Sequence, residues 1–305
     1  MPMVLCGTDF SPQSGAATRV AAAWAARTGQ GLRLVHVYES VLTDEVQYAL
    51  QAQAREQLAR MLEDEAGTLR ATFHARVDTA LLSGAVYEAI LREAVAADAG
   101  LIVVASLGRG HRHGWLLGSN AERIAQRATV PVLVVRDAPP LLAWLAGEQD
   151  LAASVCVDLT EASRAALHWA RSLRALGPCA LELDYVAWPP SEPRFAARRG
   201  EVAQAGDWAP LEPELAMDVA LWASAEEPAT EREATRAVVN WGRPDAALVE
   251  LARAAGSTLL VAGSHRRSHV ARLWQGSVTR GLLHHAEMNV ACVPPPDTDE
   301  QSRPA

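Results

Sequence analysis

The sequence has little of what would mark a secreted, metal-bound or membrane-spanning chain. Four cysteines (Cys6, Cys156, Cys179, Cys292) lie scattered through 305 residues without a C-x-x-C pair. They read as reduced, buried thiols rather than a disulfide framework or a metal site. No apolar run approaches the roughly 18 to 20 residues needed to cross a bilayer, and the N-terminal MPMVLCGTDF enters a strand with no charged leader. The chain is therefore expected to be cytoplasmic, with no membrane partner. Positive charge is in the minority: 28 Lys plus Arg stand against 36 Asp plus Glu, and a net charge of −8 removes the electrostatic reason to expect nucleic acid. No Ser/His/Asp or metal-ligand spacing stands out, and His36, His168, His284 and His285 read as structural or exposed. No catalytic or metal-binding residue is assigned.

What is present belongs to a folded α/β chain. Half the residues are apolar and about a fifth are charged, which argues against wholesale disorder. The length is about twice the ~100 to 200 residues of a usual domain, so two domains are expected. Val4 to Thr8 is a short apolar run ending in Asp9, followed by an alanine-rich helix capped by Ser11 with Pro12 at its first position. Leu32 to Tyr38 is a strand, Asp44 to Leu69 a long helix, and Phe73 to Leu81 a third strand. A helix follows Ser83-Gly84 with Val86, Ile90, Leu91 and Val95 on one side, and Leu101 to Ala105 is the fourth strand. Strands alternating with helices of ten or more residues imply a parallel sheet covered on both faces.

A second round repeats the first. TDFSPQSGAA is matched by VDLTEASRAA, a strand over Ala152 to Val157 ends in Asp158, and Thr160 caps a helix through Leu176. A period near 150 residues means a duplicated domain rather than solenoid repeats of roughly 20 to 50. The boundaries read as a first domain over 1–138, a linker over 139–150, a second and more divergent domain over 151–294, and a disordered tail over 295–305. Within the linker, LLAWLAG suits a short helix that packs on one half. In the second domain Pro189, Pro190, Pro193, Pro210, Pro213 and Pro228 interrupt the place of the long helix, which is expected to be shortened or replaced. Leu215 to Trp222 reads as an extra edge strand or a packed loop, with nothing in the sequence to choose between them.

Leu101 to Arg136 carries the chemistry. A buried strand opens into a loop of glycine, arginine and histidine, and Gly118-Ser119-Asn120 then starts a helix before Pro131 leads a further strand. Glycines allow tight turns and close approach, and the first N–H groups of a helix carry the positive end of its dipole, so an anion fits there. Thr258 to Val293 repeats the arrangement. Bland uses of the same residues are also open: Asp9 as the cap of the next turn, Gly118-Ser119 as an ordinary helix start, and the basic loop as a solvated surface segment.

On these residues the chain resembles the universal stress protein family, in two tandem copies over almost its whole length. The aspartates Asp9 and Asp158, the joints GAVYEAILREA and GRPDAALVELA, and the loop with its helix start carry the likeness. The family pattern is glycine, two residues, glycine, nine residues, glycine, then serine or threonine. In the first half Ala105 stands for the first glycine, while Gly108, Gly118 and Ser119 are in place; in the second, Gly263, Gly276 and Ser277 are kept and Arg266 stands for the second glycine. The resemblance implies two Rossmann-like domains, each a five-stranded parallel sheet with helices on both faces. It further implies that Asp9 and the Val37 backbone hold adenosine, while Ala105, Gly108, Arg109, Gly118, Ser119 and Asn120 hold phosphates. The second-half counterparts are Asp158, Val186, Gly263, Gly276, Ser277 and Val278. The implied cofactor is ATP, with Mg2+ carried on its phosphates.

Three functions follow from this reading. The first is an ATP-binding regulatory module of the stress response, with the first domain as the site. The second is a scaffold without nucleotide, acting through partners or through pairing of the apolar strand Val132 to Val135, either as a homodimer or between the two halves. The third, ranked last because the loop lacks a carboxylate base, is a slow ATP hydrolase.

Overall fold

A computed structural model describes residues 2–38, 45–107, 117–188, 211–225, 233–240, 242–264 and 275–296. The chain divides into two compact units, Met1–Gln149 and Asp150–Ala305. In the first unit the strands are β1 (Met3–Gly7), β2 (Gly31–Tyr38), β3 (Arg76–Ser83), β4 (Ala99–Ala105) and β5 (Val132–Val135). They form a parallel sheet in the order β3-β2-β1-β4-β5. Val4, Leu5, Cys6, Ile102, Val103 and Leu133 are fully enclosed, as expected of central strands covered on both sides.

The helices are α1 (Pro12–Thr28), α2 (Glu45–Phe73), α3 (Val86–Ala96), α4 (Ser119–Arg127) and α5 (Ala138–Ala146). Sequence sets the limits of α1: the Ser11 side chain accepts from the Ser14 N–H, Pro12 needs no partner in the first turn, and Gly29 ends the helix at φ +68°. Right-handed crossovers place α1 and α2 on one face of the sheet and α3 and α4 on the other. The strand order reverses between β1 and β4, and on open parallel sheets that crevice is where ligands bind. Residues 138–146, all but the first within the stretch read as a linker, form α5, which packs on α1 with Trp144 edge-on to Trp24 at 6.0 Å.

The second unit contains β6 (Leu151–Val157), β7 (Cys179–Ala187), β8 (Glu233–Val239), β9 (Leu259–Gly263) and β10 (Asn289–Val293). The order β8-β7-β6-β9-β10 repeats that of the first unit, again all parallel. Its helices are α6 (Glu161–Ser172, continued by a 3-10 turn Leu173–Ala175), α7 (Glu212–Ala223), α8 (Pro244–Ala254) and α9 (Gln275–His285). A capping box between Thr160 and Ser163 starts α6. Leu215 to Trp222, read as an edge strand or a packed loop, is helix: α7 buries Leu215, Val219 and Ala223 at four-residue spacing against β7 and β8. Pro213 sits in its first turn, where proline is tolerated. At 12 residues α7 is much shorter than the 29-residue α2. Residues 297–305, most of the tail expected to be disordered, lie outside the described residues. Among the described residues no helix is long and apolar enough to cross a membrane.

Candidate functional site

The site is built on the corner that follows β1. The Thr8 N–H continues the sheet ladder to the Val35 carbonyl at 2.8 Å, and the backbone then turns sharply, with Phe10 at φ +60°. A bulky residue pays strain in that region, and something must hold it there. Here hydroxyl and carboxylate oxygens do so. The Phe10 N–H donates to Thr8 Oγ1 at 3.1 Å, the Asp9 N–H to Ser14 Oγ at 3.3 Å, and the Ser11 N–H to Asp9 Oδ1 at 3.0 Å. Asp9 therefore makes the turn-capping bond that its bland reading anticipates, and it also lines the cavity beside it. Leu159 takes φ +63° at the same place in the second unit, so both copies keep the bent corner.

Across the sheet, β4 ends at Ala105 and α4 begins at Ser119. The Gly118 N–H donates to the Ser106 carbonyl at 2.7 Å and closes the base of the connecting loop. Gly118 itself is extended (φ −68°, ψ 137°) and, as the cap residue, supplies no side-chain hydrogen bond to the first turn of α4. The start of this helix therefore offers main-chain N–H groups and the positive end of a nine-residue dipole to the space above the sheet. Residues 108–116, including Gly108, Arg109, His111, Arg112 and His113, lie outside the described residues.

Between corner and helix start lies a cavity of about 300 Å3, at the lower end of the roughly 300 to 1,000 Å3 usual for small-molecule sites. Asp9, Val37, Ala105, Gly118, Ser119 and Asn120 all reach it. It has two characters: Val35, Val86, Ile90, Val104 and Ile124 make an apolar floor between α3 and α4, and Asp9, Ser14, Ser106, Ser119 and Asn120 bring polar atoms to the other side. His36, read from sequence as structural or exposed, is buried and donates from Nδ1 to the Thr8 carbonyl at 2.8 Å, with its ring on Phe10 at 4.6 Å. Thr8, Ser14, Val35, Ile124 and Ala121 were not assigned to the site from sequence. Alternation along β2 points Val35 to the same face as Val37, and four-residue spacing on α4 joins Asn120 to Ile124, so only those two carry a sequence signal.

Among the described residues of the second unit, the strand end and the helix start are joined directly. Gly263 ends β9 where Ala105 ends β4, and a Cβ on Gly263 would fall 2.5 Å from the backbone of Ala162. The glycine is needed for close packing of α6 against the strand end. Thr279, three residues after Gly276 as Ala121 is after Gly118, donates its hydroxyl to the Gly263 carbonyl at 3.0 Å and ties α9 to β9. The sheet register pairs Gly7 with Val35 and Cys156 with Asp184, so Asp184 stands where Val35 floors the first cavity. Asp158 is exposed and accepts from the Thr160 N–H at 3.1 Å; Val186 pairs with Val238 in the sheet, and Val278 is half-buried on α9. Gly276 and Ser277 lie in the first turn of α9, their side chains outside the described residues.

Burial sets the titrating groups. Asp184 is fully enclosed, and loss of solvent pushes its carboxyl up to about 6 despite the Arg236 guanidinium at 3.0 Å. Burial, with Glu65 nearby, raises the Cys6 thiol, and burial followed by Asp184 raises Cys156. All four cysteines are free and buried, and the raised thiols are poor nucleophiles. The chain contains no lysine, so any side-chain cation that meets an anion here is arginine or histidine.

Fold and site together define a tandem doubly wound α/β protein with an open cleft at the strand switch of its first unit. The family model for the universal stress protein family matches residues 2–136 and again 154–294. The chain belongs to the universal stress protein family, with two tandem domains. A universal stress protein of Thermus aquaticus is 33% identical over 133 residues, 44% of this chain and 97% of that protein. One from Mycolicibacterium smegmatis is 38% identical over 141 residues, covering 45% of its own length. Among solved structures, a universal stress protein of Archaeoglobus fulgidus superposes with TM-score 0.65 at 14% identity, over 96% of this chain and 98% of the other. A functionally unknown protein of Pseudomonas aeruginosa superposes at 0.58 and 17% identity, over 97% and 93%. At such identities these superpositions speak for the fold: Rossmann-like units repeated in tandem.

Proposed function

We propose that this chain is an adenine-nucleotide-binding regulatory protein of the stress response, and that its first unit holds ATP with magnesium carried on the phosphates. The observation that carries the reading is the convergence on one cavity of Asp9, Val37, Ala105, Gly118, Ser119 and Asn120, residues from four separate segments. The apolar floor suits a purine, and the uncapped start of α4 suits phosphate. Asp9 can accept from ribose hydroxyls, and Ser119 adds a hydroxyl to the amides. The site is proposed to bind rather than to turn over nucleotide, with occupancy shifting the protein between conformations only to the extent that ATP prefers one of them.

The second unit suggests the test. Ala121→Thr copies Thr279 and lets a hydroxyl reach the carbonyl of Ala105, closing the gap that Ala121 leaves open. Titration calorimetry on the full chain is expected to show ATP affinity falling at least about tenfold with an unchanged melting temperature. Unaltered affinity would place the ligand elsewhere.

A further inference from the structure

Glu65 lies on α2, 56 residues beyond Asp9, yet one of its oxygens serves the corner after β1 and the other serves the helix that follows it. Thr8 donates to Oε2 at 3.0 Å and Thr18, on α1, donates to Oε1 at 2.8 Å. Leu62, Ala66 and Leu69 are buried on α2, so this face of the helix is held against the unit. Thr8 and Thr18 are themselves enclosed, at 5% and 1% exposure, which makes their hydroxyls hard to satisfy by solvent.

A hydroxyl has one proton. With the Thr8 proton committed to Glu65, Thr8 Oγ1 is left as an acceptor, and it accepts the Phe10 N–H at 3.1 Å. Ser14 Oγ in turn accepts the Asp9 N–H and gives its own proton to the Ser11 carbonyl at 3.0 Å. The Phe10 amide is thus tied through Thr8 to Glu65, while the Asp9 amide ends through Ser14 on the Ser11 carbonyl and the Ser11 amide ends on Asp9 itself. The second unit supplies the internal comparison. It keeps Ser163 for Ser14 and Thr160 for Ser11, but Val157 stands for Thr8 and Leu167 for Thr18. Both hydroxyls that hold Glu65 are absent from the second copy.

We infer that Glu65 is the positioning residue of the first-unit site: by fixing the Thr8 and Thr18 hydroxyls it holds the Asp9–Phe10 corner in the geometry that presents Asp9 to a ribose. This rests on the proposed nucleotide reading for its ligand. The geometry also separates conservative from disruptive replacement. Thr18 has a second acceptor, the Gly15 carbonyl at 3.1 Å. In Glu65→Gln the amide oxygen can still accept from Thr8, while Thr18 turns to Gly15 and accepts from the amide nitrogen. Glu65→Met fills similar volume and offers no such acceptor.

The experiment reads two quantities on the full chain: hydrogen exchange at the Asp9 and Phe10 amides without ligand, and ATP affinity by calorimetry. Glu65→Met is expected to speed exchange at the Phe10 amide by about tenfold, with a smaller change at the Asp9 amide, and to weaken ATP by about tenfold. Glu65→Gln is expected to stay within about twofold of the natural protein in both. Thr8→Ser against Thr8→Val repeats the contrast from the other end, and serves if Glu65→Met lowers the melting temperature enough to prevent measurement. Equal behaviour of Gln and Met, or natural exchange and affinity in a folded Met variant, overturns the inference. If the natural chain takes no ATP, the nucleotide reading fails; the exchange contrast still decides whether Glu65 positions the corner.

Discussion

At the scale of single residues, the pair Val35 and Asp184 shows how one substitution redirects a site. Both occupy the same place in a second strand. Valine leaves an apolar floor; aspartate must find a cation, and Arg236 comes to it, bonding at the same time to the Leu251 carbonyl at 2.8 Å. Because burial raises Asp184 from 3.8 to about 6, the native state binds its proton more readily than the unfolded chain does. Between about pH 4 and 6 the native state therefore holds more protons, and stability falls as pH rises through that window. A shift near two units corresponds to on the order of 3 kcal/mol. Urea unfolding at pH 4.5 and 7 should show this loss, and Asp184→Asn should flatten it; an equally steep dependence in the variant would contradict the assignment. None of this was legible in LELDYVA, which reads as a strand. The cation lies 52 residues away on β8, and only the fold brings the two together. The same limit hid Glu65 and Thr8, whereas Asp9, Gly118 and Ser119 could be picked out because the repeat and the spacing announce them locally.

At the scale of elements, the strands and their parallel pairing were the most legible part, since runs such as LIVV and VLVV alternate with helical stretches long enough to cross back over a sheet. Helix faces were less so. On α3 the expected stripe was Val86, Ile90, Leu91 and Val95, but the structure buries Ala89, Ile90 and Ala94 and leaves Val95 71% exposed. Alanine allows closer approach of the helix, so size rather than hydrophobicity set the face. In the second unit the prolines after Ala187 suggested broken structure, yet α7 starts at Glu212 with Pro213 harmless in its first turn. That region is joined by charge as well as packing: Glu233 on β8, with its side chain 1% exposed, accepts from Arg171 at 2.6 Å and from Arg174 at 3.2 Å. Removing one partner of a buried pair strands the others, so Glu233→Ala should cost about 3 to 5 kcal/mol in chemical denaturation. A loss under about 1 kcal/mol would mean that water reaches the arginines.

At the scale of the whole molecule, duplication explains why one fold appears twice. Each unit repeats the strand order and the bent corner. Among the described residues the two meeting places of strand end and helix start differ in their contacts: the first unit has a cavity of about 300 Å3 there, and in the second the Thr279 hydroxyl is tied to the Gly263 carbonyl and Gly263 packs on the Ala162 backbone. The most direct test is the stoichiometry of ATP on the full chain by titration calorimetry. One ATP per chain is predicted, abolished by Asp9→Ala and untouched by Asp158→Ala. Two ATP per chain, or binding that survives Asp9→Ala and is lost with Asp158→Ala, would contradict the account.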